Sequence, residues 1–517
     1  MIVPLDTSLI FFTLLSLALT ILWFYANRKI PNPRNLPLPP GPTPLPIVGN
    51  IFDIPKDFPW LTYQSLSQKY GDVVHLRIMG QSIIIASTSE VAIELLEKRS
   101  ANYSDRATSA IIPLLGCDWV VGLMPYGHRW RRTRQIIHQY FNRRTVEKYR
   151  EIQIRETGRF LRDLLTDSDR FTISSSLIMY GFEPQDDKYF FLLEKASEST
   201  AEGLVSGTFL VEFIPFLKYI PSWVPGAGFQ KKFAEWRAAS AGLRDIPFGV
   251  AKEAFNAGTA SSCIETALLE KISRNGGEYA VEEEEFAKDA LATAHEGGAD
   301  TTFSLIHWFF AAMLAHPEVQ KKAQAELDAV IGPRRLPTFS DRDSLSYINA
   351  VVLECLRWFP VIPVAPHRAT ADDEYNGYFI PKGSLVVPNI WALARDASVY
   401  AEPEDFNPDR FLKDGKLDPD VADPSTLVFG FGRRSCAGRH LADASLFITA
   451  ASVLHVYEIS PHLDEMGRPA PFRPAMKPGA FLYLVPFKCR IKPRSEKAEK
   501  LVLATMDPQE NLSVPAL

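Results

Sequence analysis

Cysteine is scarce in this chain, with five residues, at positions 117, 263, 355, 436 and 489, in a sequence of 517. They are scattered and odd in number, and no two have Cys-x-x-Cys spacing. This pattern excludes a disulfide framework and a common type of zinc site, and it favours a reducing compartment. Positive charge is not in excess either, because the net charge is -5. That balance argues against a nucleic-acid partner.

Internal repeats are lacking, and the only biased segment holds eight prolines between Pro31 and Pro46. Such a segment is stiff and extended, so we expect a semi-rigid spacer rather than a flexible linker or an SH3-type ligand. Hydrophobic residues make up 46% of the chain and charged residues 23%, which is ordinary globular composition. The length is compatible with two or three average domains or with one large enzymatic domain.

Residues 9–26 form a run of 18 uncharged, mainly apolar residues. As a helix of about 27 Å, the run would match the roughly 30 Å hydrocarbon core of a bilayer. Trp23 and Tyr25 fit an interfacial aromatic belt, and basic residues follow them. A cleaved signal peptide is the alternative, but the only charge before the run is Asp6, and a small-residue cleavage site is missing. We expect a permanent anchor with residues 28–517 on the cytosolic side.

Periodicity predicts helices over residues 127–166 and about 281–360. Residues 73–78 and 82–86 predict a β-hairpin, and Ser87-Thr-Ser-Glu90 predicts a capping box for the next helix. Beyond 360, proline and glycine break the chain into short strands and loops.

Cys436 lies in the stretch Phe-Gly-Phe-Gly-Arg-Arg-Ser-Cys-Ala-Gly, residues 429–438. Glycines allow the backbone to pass close to a flat partner. A cysteine leading into a helix has backbone N–H groups and the positive end of the dipole facing its sulfur, which stabilises a thiolate. Such a thiolate is a good axial ligand for heme iron. The alternative is a buried cysteine beside a glycine turn.

A second motif, Gly297-Gly-Ala-Asp-Thr-Thr302, lies within a predicted long helix, residues 285–314. Each interior glycine costs about 1 kcal/mol relative to alanine, which a chain tolerates where something must approach the backbone. Gly297 and Thr301 share a face, and a groove beside a hydroxyl would accept a diatomic ligand. A kinked core helix with a capping aspartate is the alternative.

Both motifs resemble signatures of the cytochromes P-450. The cysteine stretch matches the heme-binding loop Phe-x-x-Gly-x-Arg-x-Cys-x-Gly at every fixed position, and the helix is similar to the oxygen-activating motif (Ala/Gly)-Gly-x-Asp-Thr. The resemblance implies heme b with Cys436 as the axial thiolate and metal ligand. It also implies that Thr301 hydrogen-bonds dioxygen and that Asp300 relays the protons for O–O cleavage.

Trp130 and Arg134 match the family's Trp-x-x-x-Arg helix, which contacts the heme propionates, and Arg434 and Arg368 match further family positions. The resemblance thus implies one set of cofactor-binding residues: Cys436, Arg434, Trp130, Arg134, Arg368, Phe429 and Gly438. Glu354 and Arg357 form the family's Glu-x-x-Arg pair, and Arg410 is similar to its second arginine. These three are expected to form a buried structural triad.

The resemblance covers about residues 36–490 and implies a mainly α fold with a minor β portion, a triangular helical prism, preceded by the N-terminal transmembrane helix. The expected organisation along the chain is a short N-terminal segment (1–8), the anchor helix (9–26), a basic and proline-rich linker (27–46), the heme-thiolate catalytic domain (47–494) and a loosely ordered tail (495–517).

The expected function is a membrane-anchored monooxygenase that takes electrons from NADPH through NADPH-cytochrome P-450 reductase and inserts one atom of O2 into a lipophilic small molecule. Residues 366–370 and 377–383 are similar to fungal secondary-metabolism members of the O-methylsterigmatocystin oxidoreductase group. That similarity points to a terpenoid or polyketide-derived substrate. The expected location is the endoplasmic reticulum membrane, in contact with lipid. Alternatives are a heme-thiolate peroxygenase, an isomerase or dehydratase without reductase, and a non-catalytic heme-binding membrane protein.

By family analogy, substrate choice rests on residues 104–121, 203–233, 361–365 and 478–481. Glu296 departs from the family pattern, because a small or apolar residue is usual there. It either lines the distal pocket and meets a polar or cationic substrate group or, as we favour from sequence, points away from the heme. Residues 171–187 also form a shorter segment than the family usually has.

Overall fold

The computed structural model describes residues 16, 20, 32–55, 57–107, 109–166, 179, 187–205, 208–212, 214–277 and 279–505. Apart from Ser16 and Thr20, the predicted anchor at 9–26 lies outside the described residues, as do most of the shortened segment 171–187 and the end of the tail, 506–517. Within the described part, no helix combines the length and the apolar character that crossing a bilayer requires.

The described chain is mainly helical with a minor β portion, as the sequence predicts. The longer helices are α1 (Pro59–Tyr70), α2 (His128–Phe141), α3 (Arg150–Thr166), α4 (Asp187–Gly203), α5 (Phe229–Asn256), α6 (Ile264–Asn275), α7 (Ala280–Ala315), α8 (Pro317–Val330), α9 (Ser346–Trp358), α10 (Arg439–Val456) and α11 (Glu496–Leu503). Single-turn helices span Ser89–Ala92, Ser100–Tyr103, Ile111–Leu115, Arg143–Val146, Ile390–Leu393 and Ser425–Val428.

The strands are short. They are β1 (Val73–Ile78), β2 (Gln81–Ala86), β3 (His367–Arg368), β4 (Asp373–Tyr375), β5 (Tyr378–Ile380), β6 (Leu385–Pro388), β7 (Leu412–Lys413), β8 (Lys416–Leu417), β9 (Tyr457–Pro461), β10 (Met476–Lys477), β11 (Tyr483–Leu484) and β12 (Cys489–Pro493).

The chain divides into two compact units, and the smaller holds residues up to 107, 364–393 and 431–433. Its four-stranded sheet has the order β1-β2-β6-β3, in which β2 and β6 are parallel and the other pairs antiparallel. The predicted hairpin is confirmed, with a two-residue turn at Met79 and Gly80, both at positive φ. The predicted capping box is wrong: the N-cap is Thr88, whose side chain makes no capping hydrogen bond, and Ser87 instead meets the Ser67 hydroxyl at 2.5 Å.

The larger unit contains α2 to α11, and its two largest apolar cores lie on either side of the middle of α7. Helix α7 contributes to both, with Phe286 and Leu291 in one core and Phe309 and Phe310 in the other. A helix that packs on all sides is apolar around much of its circumference, and its backbone is held in place by both cores.

The tail begins with structure rather than as the loose segment that the sequence predicts. The Ser495 side chain accepts a hydrogen bond from the Ala498 N–H and caps α11. Ala498 and Val502 are buried in the same core as Phe309. An N-cap together with two buried apolar residues one turn apart is enough to order a short helix against a core.

The predicted triad is confirmed, with Glu354 and Arg357 fully buried and the Arg410 side chain 7% exposed. Arg357 donates to both oxygens of Glu354, Nε to Oε2 at 2.7 Å and Nη2 to Oε1 at 2.8 Å. Arg410 Nε donates to Oε1 at 3.2 Å, and the Asn407 N–H donates to the same oxygen at 2.7 Å. The remaining Arg357 donors reach the carbonyls of Ala394, Pro403 and Asp405. The triad therefore fixes the end of α9 to the segment 394–410.

Replacing Glu354 with Ala should lower the free energy of unfolding by about 3–5 kcal/mol, because two buried guanidiniums lose their counter-ion. Denaturant unfolding followed by circular dichroism measures this change. Glu270→Ala is the matched control, because Glu270 pairs with Arg274 at 2.6 Å on the exposed surface. The control should cost less than about 1 kcal/mol, and equal losses in the two variants would contradict the structural role of the triad.

Candidate active site

A loop between the single-turn helix at Ser425–Val428 and α10 carries Cys436. The Cys436 N–H donates to the Phe429 carbonyl at 2.7 Å, which closes the loop on itself. Gly430 takes a positive φ of 73° and its N–H donates to the Leu427 carbonyl at 3.1 Å, so the chain reverses before the cysteine. The loop thus holds the sulfur three residues ahead of α10, as the sequence predicts.

The Cys436 sulfur faces an opening within the protein. The residue is exposed, yet the protein atoms around it are dense enough for burial to raise the pKa of the thiol. Two kinds of group oppose this effect and lower the pKa of the thiol. They are the N–H groups of Gly438 and Arg439 and the positive charges of Arg134 and Arg439. Since a Cβ at Gly438 would lie 4.0 Å from Sγ, the glycine leaves this flank of the sulfur open. Such donors suit a sulfur that becomes charged when a metal binds.

Three predicted propionate-binding residues lie together in the larger unit. The Arg434 guanidinium stacks 4.5 Å from the Trp130 ring and donates to the carbonyls of Val121 and Met124. Arg134 donates to the Ser435 carbonyl beside the cysteine. The Trp130 Nε1 atom is buried and has no hydrogen-bond partner among the described residues. A buried donor of this kind is costly unless an acceptor such as a propionate meets it.

Arg368 belongs to the smaller unit, unlike the other predicted cofactor-binding residues. It lies in β3 and its Nη1 is 3.7 Å from Asp105 Oδ2. Phe429 lies in the larger unit, partly buried against a core, and contributes its carbonyl to the cysteine loop.

Helix α7 presents the second motif without a break. Thr301 Oγ1 donates to the Gly297 carbonyl at 2.6 Å, one turn earlier on the same face. Gly297 is exposed although His295 and Glu296 beside it are buried, and nothing lies within 4 Å of a Cβ placed there. The glycine therefore leaves open space beside the helix, one turn before Thr301.

The Asp300 carboxylate accepts a hydrogen bond from the Tyr483 hydroxyl. Burial raises the pKa of Asp300, while hydrogen bonds from Tyr483 and Ser197 lower it. Tyr483 could not be identified from the sequence, because it lies 183 residues from Asp300 and belongs to no local motif. Only the fold brings β11 against α7.

Helix α7 also holds the segment that leads into β11. The Leu482 carbonyl accepts from Ser304 Oγ at 2.7 Å and from Trp308 Nε1 at 2.9 Å. The Leu482 N–H donates to the Val361 carbonyl at 2.8 Å, and the Ala480 N–H donates to the Ala201 carbonyl at 3.0 Å. Main-chain hydrogen bonds therefore connect the predicted substrate segment 478–481 and its neighbour Leu482 to the start of the segment 361–365 and to Ala201, just before the segment 203–233.

Comparison with known proteins gives the family. The family model for cytochrome P450 matches residues 39–482. This chain belongs to the cytochrome P450 family. It is 39% identical over 495 residues to cytochrome P450 monooxygenase COX1 of Coprinopsis cinerea, which covers 92% of this chain and 95% of that protein. It is 37% identical over 505 residues to tryptamine 4-monooxygenase of Psilocybe cyanescens, covering 95% and 99%. It is also 40% identical to cytochrome P450 monooxygenase ple1 of Rhodocybe pseudopiperita, covering 93% and 94%.

The protein is therefore a P450 monooxygenase whose cofactor is a heme with a cysteine thiolate as axial ligand to the iron. The described residues fit that cofactor. Cys436 offers a sulfur that receives backbone N–H groups, the Trp130 indole offers a buried donor without a partner, and Gly297 borders open space.

Replacing Trp130 with Phe should weaken heme retention and leave the heme-free protein at least as stable as the parent. The substitution removes one charge-assisted hydrogen bond to the cofactor, about 1.5–3 kcal/mol, and also removes a buried donor that has no partner without heme. Heme transfer to apomyoglobin and thermal unfolding of the heme-free protein measure the two effects. Trp223→Phe, at a side chain that is 80% exposed, is the control. Unchanged heme transfer in Trp130→Phe would contradict this role.

Proposed function

We propose that this P450 is a membrane-anchored monooxygenase in which Cys436 ligates the heme iron and Asp300 and Thr301 serve the oxygen chemistry. Its electrons come from NADPH through NADPH-cytochrome P-450 reductase. The observation that carries the proposal is the Cys436 sulfur, open on one side and supported by two backbone N–H groups on the other. Trp130, Arg134 and Arg434 hold the propionate side of the cofactor.

When bound, the heme supplies the reduction of dioxygen that places one oxygen atom in the substrate and releases the other as water. The chain supplies the path for protons. Thr301 can turn its hydroxyl from the Gly297 carbonyl into the space beside that glycine. Burial raises the pKa of Asp300, against the hydrogen bonds from Tyr483 and Ser197 that lower it, and the Tyr483 hydroxyl fixes the direction of the Asp300 carboxyl group. An acid placed next to a hydroxyl in this way is suited to general acid catalysis.

Two substitutions separate ligation from proton delivery. Cys436→Ser should abolish the long-wavelength Soret band of the reduced carbon monoxide complex, since an alcohol does not replace the thiolate. Thr301→Ala should keep that band but reduce product formed per NADPH consumed by roughly tenfold to a hundredfold, within the range of a lost proton-transfer group.

Both variants are compared with Thr302→Ala, which lies next to Thr301 and whose hydroxyl has no role in the proposal. A normal Soret band in Cys436→Ser would refute the assignment of the ligand. Turnover with hydrogen peroxide, and none with NADPH and reductase, would instead identify a peroxygenase.

The substrate is a lipophilic small molecule, and terpenoid or polyketide-derived rings are the scaffolds proposed. Within the substrate segment 203–233, Leu210, Phe216 and Trp223 are 67%, 63% and 80% exposed. Exposed apolar side chains that lie close together favour contact with lipid or with lipophilic ligands. One relative is named for its action on tryptamine, a small aromatic molecule. We place the protein in the endoplasmic reticulum membrane, with its catalytic domain in the cytosol.

Lysine at positions 14 and 17 should release the full-length protein from membranes. Each charge near the bilayer centre costs about 2.5–3.5 kcal/mol, so Leu14→Lys with Leu17→Lys removes most of the advantage of insertion. Carbonate extraction of membranes, followed by detection of the protein in pellet and supernatant, measures the change. Isoleucine at both positions is the control and should stay in the pellet. Retention of the lysine variant in the pellet would contradict the anchor.

A further inference from the structure

Glu296 is a buried acid for which the proposed oxygen chemistry has no use. It lies on α7 one turn before Asp300 and directly before Gly297, which borders open space. The residue is only 7% exposed, and its Oε2 atom has no hydrogen-bond partner among the described residues. Buried polar atoms are almost always paired, so an orphaned carboxyl oxygen next to a glycine that borders open space calls for a ligand.

Another buried acid on the same helix shows what a structural carboxylate looks like in this protein. Asp289 Oδ2 is 2.7 Å from Arg129 Nη2, and its Oδ1 is 2.8 Å from Arg244 Nε. Both of its oxygens are thus paired with guanidinium groups inside the protein. Glu296 has no such ion pair among the described residues. A purely structural role for Glu296 is therefore unsupported, because an apolar residue would fill the position at lower cost.

The groups that act on Glu296 come from the side of α7 that faces the predicted substrate segments. The pKa of Glu296 is raised by burial and then by Asp300, which lies on the same helix. Glu296 in turn raises the pKa of Cys117, which lies in the substrate segment 104–121, and of Tyr483, two residues beyond the segment 478–481. None of these neighbours is a cation. A positively charged group of a ligand would therefore interact favourably with Glu296 and Asp300.

We propose that Glu296 recognises a protonated nitrogen of the substrate, so that this P450 acts on lipophilic amines in preference to neutral molecules of the same shape. The inference deepens the proposed function, because it assigns a substrate class to the same site. A substrate ammonium would give Oε2 the donor it lacks and would place a cation beside Glu296 and Asp300. A charge-assisted hydrogen bond to a carboxylate that is only 7% exposed contributes more than the same contact at a surface.

The proposal predicts proton release on binding. Burial and then Asp300 raise the pKa of Glu296 to about 8, so at pH 7 the free carboxyl group is mostly protonated. A bound ammonium stabilises the carboxylate, lowers this pKa and expels the proton. Amine affinity should therefore rise by up to about tenfold per pH unit between pH 6 and 8 and level off above pH 8.

Cys117, Tyr483 and His295, which are titratable groups near Glu296, do not produce the same dependence of affinity on pH between pH 6 and 8. The pKa of Cys117 is raised to about 12 and that of Tyr483 is raised further, whereas the pKa of buried His295 is lowered to about 4. The pKa of Asp300 is also raised, by burial, and an Asp300→Asn variant separates its contribution.

The experiment uses the full-length, heme-loaded protein and two probes of equal shape. One is the tertiary amine N,N-dimethyl-phenylbutylamine, and the other is the hydrocarbon in which CH replaces the nitrogen. Affinity is measured from the shift of the heme Soret band, and proton release from calorimetry in two buffers of different ionisation enthalpy. The parent should bind the amine about tenfold to a hundredfold more tightly and release close to one proton at pH 7.

Glu296→Gln should lose the preference and the proton release, since an amide of the same shape carries no charge. Glu296→Ala should lose both as well, and Asp300→Asn should keep part of the release, because burial, the larger cause of the raised pKa of Glu296, is unchanged. Glu265→Gln is the matched control, because Glu265 on α6 is also fully buried with both oxygens unpartnered, and its pKa is raised to about 9. This control should behave like the parent protein.

Equal affinity of the parent for the two probes, binding of the amine without proton release, or an amine preference that survives in Glu296→Gln would each overturn the proposal. So would equally tight binding of the corresponding alcohol, which would show recognition of a neutral donor. The reduced carbon monoxide spectrum is recorded for every variant first. Loss of the thiolate band in the parent would refute the proposed function itself, whereas a normal band without amine preference would refute only the role of Glu296.

Discussion

A sulfur that is to carry negative charge inside a protein must be compensated on the side away from the metal. Here the N–H groups of Gly438 and Arg439 and the guanidinium of Arg134 provide this compensation, against a burial that by itself favours the neutral thiol. The rest of the larger unit maintains that arrangement. The hydrogen bond from the Cys436 N–H to the Phe429 carbonyl closes the loop, and α10, buried along most of its length, anchors the end of the loop in the core.

Three of the acids on helix α7 have surroundings that differ from one another, and these differences suggest separate functions. Asp289 is held by two arginines and ties the helix to α2 and α5. Asp300 accepts a phenol hydrogen bond and stays next to Thr301. Glu296, between them, has an oxygen with no partner among the described residues. The first acid is paired within the fold, whereas proton transfer by the second and ligand binding by the third are the roles that we propose.

The parts of the site that could be predicted from the sequence are those written in a few consecutive residues. The cysteine loop, the Gly297–Thr301 spacing and the Glu354–Arg357 pair each depend on local geometry, and the structure forms each of them where it was expected. Tyr483 could not be predicted, since its contact with Asp300 exists only after β11 packs on α7. The helix at Glu496–Leu503 was missed because its short apolar stripe has meaning only against the core that buries Val502. The capping box was predicted wrongly for the opposite reason. Ser87 fits the local motif, but its hydroxyl is hydrogen-bonded to the Ser67 hydroxyl, a contact that exists only in the fold.

The Leu482 carbonyl receives two hydrogen bonds from α7, and the N–H of the same residue is bound to Val361. At residue 482 these bonds involve only the main-chain carbonyl and N–H. They do not depend directly on the side chains of residues 478–481. Exchanging those side chains can therefore reshape the wall around a substrate without shifting the main chain. If residues 478–481 border the substrate as the family analogy implies, single substitutions there change substrate preference while the hydrogen bonds of Leu482 stay in place.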